Sequence, residues 1–93
     1  MSLPDITTPR LSINGSAATT LLEDNRRAAQ HLCDTIDALR QCTPHGRDYI
    51  GYPEALERAR NEHWARINAL TTVLAELDHI AITIYRQCPE AAA

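Results

Sequence analysis

The sequence predicts an all-α protein: an antiparallel helical hairpin of two long helices, with an extended N-terminal arm, oligomerising into a helical bundle. Three observations carry this. Apolar residues recur at alternating three- and four-residue steps in two separate stretches, the period of a helix that buries one seam. The three glycines and five prolines fall mostly outside those stretches. The second stretch is longer and more apolar than one partner helix can cover.

Residues 1–16, "MSLPDITTPRLSINGS", hold Pro4, Pro9 and Gly15 among scattered Leu3, Ile6, Leu11 and Ile13. They read as an extended arm. Helix 1 occupies 17–42, starting near Ala17 or Thr20. Thr20 and Glu23 have the spacing of a capping box, in which a hydroxyl and a carboxylate satisfy free N–H groups reciprocally. Its seam runs Leu22, Asn25, Ala29, Leu32, Ile36 and Leu39, with Ala18 extending it backwards. Pro44 ends the helix, because it cannot continue the hydrogen-bond ladder.

Residues 43–52 form a hinge, and Gly46 is expected to supply a positive φ in the turn Pro44-His45-Gly46-Arg47. Helix 2 occupies 53–87. Pro53 suits a first helical position, and Glu54 and Glu57 face the positive end of the dipole. Its seam reads Leu56, Arg60, His63, Ile67, Leu70, Leu74, Leu77, Ala81, Ile84 and Cys88. Residues 88–93 read as a frayed tail.

Helix 1 should reach ~34 Å and helix 2 ~50 Å at the standard rise. Residues after about Leu77 are therefore expected to project beyond the start of helix 1, leaving "LDHIAITIY" uncovered except by the arm. A second subunit is the expected cover, through Leu70, Val73, Leu74, Leu77, Ile80 and Ile84. Two helices rarely bury enough surface to stand alone.

Composition narrows function by exclusion. Twelve acids against nine bases give a net charge of −3, without the basic balance of a general nucleic-acid binder. All nine bases are arginine, so lysine-dependent chemistry is excluded. GC-rich codon usage and recognition of carboxylate or phosphate by guanidinium forks both account for that bias. Three cysteines, Cys33, Cys42 and Cys88, suit reduced thiols. The N-terminus lacks a signal-peptide pattern, and no run approaches the length of a membrane span. The expectation is a cytoplasmic protein with no membrane partner.

The candidate site is the place where charge interrupts the seam. Arg60 and His63 lie on it, and Arg66 flanks it in line with Ala59, Val73 and Ile80. Arginines on a packing face need an anionic partner. Glu57, Glu62 and Glu54 stand at helical spacing from Arg60, Arg66 and Arg58 and offer salt bridges. An anionic ligand is the other solution. Arg47, Tyr49 and Tyr52 in the hinge, Trp64 on the helix, and Arg26 on helix 1 join the ligand-binding candidates, as phosphate forks and stacking surfaces. Tyrosines packed on the hairpin end and an Arg47 capping helix carbonyls explain the hinge equally well.

Catalytic motifs are missing. Glu62-His63 is not the H-E-x-x-H of zinc proteases, and neither a glycine-rich phosphate loop nor a serine elbow occurs. Glu76-Leu77-Asp78-His79 matches the E-x-x-H of di-iron bundles. However, Leu77 and Ile80 point inward, which should turn Glu76 and His79 to solvent. The expectation is no enzyme, no metal and no cofactor.

Around the hinge, Pro44, Gly46, Arg47 and Asp48 precede Ala55, Leu56, Glu57 and Ala59, with Trp64 further on. This pattern resembles a group of small phage-encoded helical-hairpin proteins that includes the anti-CBASS and anti-Thoeris sponges for cyclic nucleotide signals. The residues "YIGYP" between Asp48 and the helix are extra to that pattern, and helix 2 is longer. The resemblance implies oligomeric hairpins with ligand pockets between protomers, working in the host bacterial cytoplasm. It implies nothing about individual ligand residues. A second expectation is an anti-CRISPR-like inhibitor that binds a host defence protein, since acidic charge suits docking on a nucleic-acid-binding surface. A purely structural helical oligomer is the third.

Overall fold

A computed structural model describes residues 5–88. It contains α1 (Ala18–Gln41), a 3-10 turn (Gly46–Asp48) and α2 (Pro53–Arg86), with no strand among the described residues. The two helices pack against each other as a hairpin. Expectations about Met1–Pro4 and the tail beyond Cys88 lie outside the described residues.

Both helices begin differently from each other and for local reasons. α1 has Ala17 as N-cap, with no side-chain cap. Thr20 lies inside the first turn, so the expected Thr20–Glu23 capping box does not form. The helix-favouring Ala17-Ala18 pair lets the helix start three residues earlier. α2 begins at Pro53 as expected, where a missing N–H costs nothing.

The end of α1 is closed residue by residue. The last four carbonyls of a helix lack an intrahelical partner. Here the Ala38 carbonyl accepts from Cys42 Sγ at 3.4 Å. The Leu39 carbonyl accepts from the Cys42 N–H at 3.0 Å. The Arg40 carbonyl accepts from Thr43 Oγ1 at 2.9 Å.

The hinge corrects the glycine assignment. Gly46 opens the 3-10 turn without a positive φ, and Gly51 carries it instead, at 82°. The Tyr52 N–H bonds the Tyr49 carbonyl at 2.9 Å. That bond closes a four-residue turn with Gly51 third, the position that needs positive φ in a type II turn.

The overhang is at the other end of α2 from the one expected. The hinge runs back along the first turns of α2. Arg60 Nε donates to the Pro44 carbonyl at 3.3 Å, and Gly46 lies against Leu56. Ten hinge residues thus consume the extra length of α2 beside the turn, and the far ends of the helices come level. Ile84, expected at an open interface, is 1% exposed and belongs to the core of the single chain. The arm finishes that end: Gln87 donates from Nε2 to the Pro9 carbonyl at 2.9 Å and accepts the Leu11 N–H on Oε1 at 2.8 Å. One side-chain amide thereby ties the arm to the end of α2.

The core is thin. Among the described residues, Ile36, Ile67 and Ile84 are the buried apolar ones and His63 the buried polar one. The molecule measures 63 × 23 × 23 Å, with a radius of gyration of 18.7 Å. A compact chain of this length would have about 12 Å. By length and composition, α2 is apolar enough to cross a membrane. Its apolar half also carries Glu76, Asp78 and His79. A charged group at bilayer depth costs ~3 kcal/mol or more.

Candidate functional site

Four of the proposed ligand residues stand on two turns of α2 near the hinge, and packing divides them. His63 is 6% exposed, and its Nε2 lies 2.7 Å from the Leu39 carbonyl oxygen. A carbonyl only accepts, so this nitrogen carries the proton and donates. His63 therefore ties α2 to the last turn of α1, and it is closed to a ligand in this conformation. Its seam position explains the burial: the polar ring can enter the core because the Leu39 carbonyl, which also accepts the Cys42 N–H, has a second lone pair for it.

Arg60 is exposed, with its Nε committed to the Pro44 carbonyl. Arg66 is exposed and has no ion-pair or hydrogen-bond partner among the described residues. The salt bridges expected from Glu54, Glu57 and Glu62 do not form. Among the described residues the one ion pair is Arg40 with Asp37, at 3.8 Å on the surface of α1. Exposed pairs gain little from closing, since side-chain entropy and water oppose them. Three guanidinium groups on α2, those of Arg58, Arg60 and Arg66, therefore remain available to an outside anion.

The aromatic candidates meet these arginines only in part: Trp64, four residues after Arg60, shares its helix face. Trp64 is large and exposed, yet two residues of helix place it about 160° around the axis from Arg66. Tyr49 is half-buried in the hinge and Tyr52 is exposed. Arg47 is held at its backbone, where its N–H donates to His45 Nδ1 at 3.1 Å, and its side chain is exposed. Arg26 lies on the outer surface of α1, ~22 Å along the axis from the hinge end.

Arg26 does line a shallow concavity of about 410 Å³, with Glu23, Arg27, Gln30 and His31. Arg27, Gln30 and His31 were not among the residues singled out from the sequence. Their signal was present: Arg26 with Gln30, and Arg27 with His31, stand four apart and share a helix face. All five come from the exposed side of one helix, so no second wall encloses a ligand.

Glu76 and His79 are half-buried rather than turned to solvent. Among the described residues no three His, Cys, Asp or Glu side chains gather to hold a metal ion. Cys33 and Cys42 are exposed free thiols, and Cys88 is a half-buried one.

No known protein family matches this chain. No curated protein matches it. Nor does any solved structure.

Proposed function

We propose that this chain is a non-catalytic binding protein that oligomerises into a helical bundle and sequesters a phosphate-bearing nucleotide signal. One observation carries the reading: Arg58, Arg60 and Arg66 have carboxylates at helical spacing and pair with none of them. Guanidinium forks left open on one stretch of helix match the bidentate geometry of phosphate oxygens. Exposed Trp64 and Tyr52 offer rings for base stacking. Sequestration by mass action needs affinity and copy number, and no reacting group. The resemblance at Pro44–Trp64 to phage counter-defence sponges agrees, and the setting would be the host bacterial cytoplasm.

Isothermal titration against a panel of cyclic di- and trinucleotides tests this. Saturable heat with at least one of them is expected. Flat titrations with all, at concentrations far above micromolar, would refute it.

A second reading rests on a different observation. Ile50, Tyr52 and Trp64 are large, apolar and exposed towards the hinge end. Such residues anchor protein interfaces, which suits inhibition of a host defence protein. Stoichiometric capture of one bacterial protein, with no nucleotide binding, would favour it.

A further inference from the structure

Building on the binding reading above, we infer that a second copy of this chain covers the hairpin flank centred on Val73, and that each copy brings Arg66 into the shared interface. The observation behind it is area. The single chain exposes 7358 Å². A folded monomer of 10.4 kDa exposes about 5,400 Å². The excess, roughly 2,000 Å² per chain, is what each subunit of an obligate homodimer commonly buries.

The choice of flank follows from composition. Residues seven apart in a helical seam lie on one line. One flank carries Ala59, Arg66, Val73 and Ile80 on α2, beside Ala28 and Thr35 on α1. Small alanines there allow close approach, and half-buried Leu70 and Leu77 border it. The opposite flank carries Glu57, Trp64 and Asp78 on α2, beside Arg26 and Arg40 on α1. Its four charges would all lose water on docking, and interface cores are depleted of charge. Along its own line the Val73 flank carries one charge, Arg66, with Glu62 and Glu76 one turn away at its edge.

A two-fold interface presents every residue twice. Two Arg66 guanidinium groups therefore enter it, neither with an internal partner. Two cations brought together at the edge of an interface favour an anion between them. A phosphate bound between the two copies pairs with both.

Light scattering after size exclusion decides the matter on the full chain. The expected mass is twice 10.4 kDa. Val73→Asp should reduce it to a single chain with helical circular dichroism kept, since Val73 is already 42% exposed. Ala28→Glu on the same flank should do likewise and decides the case if Val73→Asp unfolds. Ile82→Asp, 46% exposed off this flank, should keep the doubled mass. Arg66→Ala should weaken cyclic di-AMP binding at least tenfold while the mass stays doubled. A single-chain mass for the unmodified protein overturns the inference. So does a doubled mass that survives both flank variants, or one abolished by Ile82→Asp. A dimer that binds no nucleotide overturns the binding reading alone, and a monomer that binds one overturns the inference alone.

Discussion

His63 Nε2 lies 2.7 Å from the main-chain carbonyl oxygen of Leu39, joining the hinge-side third of α2 to the final turn of α1. The bond solves two problems together. The ring is buried and needs a partner. The carbonyl belongs to a helix end, where the intrahelical ladder has run out. This long-range bond sets where the two helices meet and therefore how much hinge remains to be folded back along α2.

Removing that tie should be costly. His63→Ala is expected to lower stability by about 1–3 kcal/mol, from the lost bond and the space left behind. His63→Gln keeps an N–H donor and should recover part of the loss. Urea midpoints measured for both variants check this. Equal losses would mean that a side-chain N–H donor of similar size cannot replace the ring's bond to Leu39.

The two hinge glycines should behave oppositely. Gly51→Ala places a side chain at φ 82° and should destabilise by about 1 kcal/mol. At Gly46 the φ is ordinary, and an added Cβ would meet Leu56 Cδ2 at 3.8 Å, a normal contact. Gly46→Ala should be neutral or stabilising by up to about 1 kcal/mol. Thermal melts of the pair read out the contrast.

Gln87 should control the arm without controlling the hairpin. Gln87→Leu removes both hydrogen bonds to Pro9 and Leu11. Amide exchange at Leu11 should then accelerate at least tenfold, while amides around Ile36 and Ile67 change little. Uniform acceleration throughout would show that arm and hairpin unfold as one unit.

Arg66→Ala should separate binding from folding. With no partner inside the chain, its loss should shift stability of the isolated chain by no more than about 0.5 kcal/mol. Any drop in nucleotide affinity then belongs to the lost contact. Denaturant melts with matched titrations provide both numbers, and a large stability loss would mark Arg66 as structural.

Thr20→Ala should be silent, within about 0.5 kcal/mol, because Thr20 sits inside the first turn of α1 and caps nothing. A loss near 1 kcal/mol, the usual cost of deleting a cap, would place the helix start at Thr20 after all.

The sequence by itself determined that there are two helices, nearly where each starts and stops, and which faces meet. Periodicity, Pro44 and Pro53 act over a few residues, so they are legible without knowing the fold. The seam even named the three buried isoleucines: Ile36, Ile67 and Ile84. The tertiary structure decided what each seam residue does there. His63 could be a ligand residue or a core tie until the Leu39 carbonyl stood opposite it. Arg60 and Arg66 share a seam neighbourhood, yet one holds the hinge at Pro44 and the other has no internal partner. The end of α2 was expected to hang free because helix lengths were compared without the hinge's path, and a chain can spend ten residues lying along its own helix. Intrahelical carboxylates promised salt bridges that solvent leaves open, since spacing permits an ion pair but free energy in water barely favours one. Local steric rules reach four residues along the chain. Hydrogen bonds such as His63–Leu39 and Gln87–Leu11 span dozens, and only the fold brings their ends together.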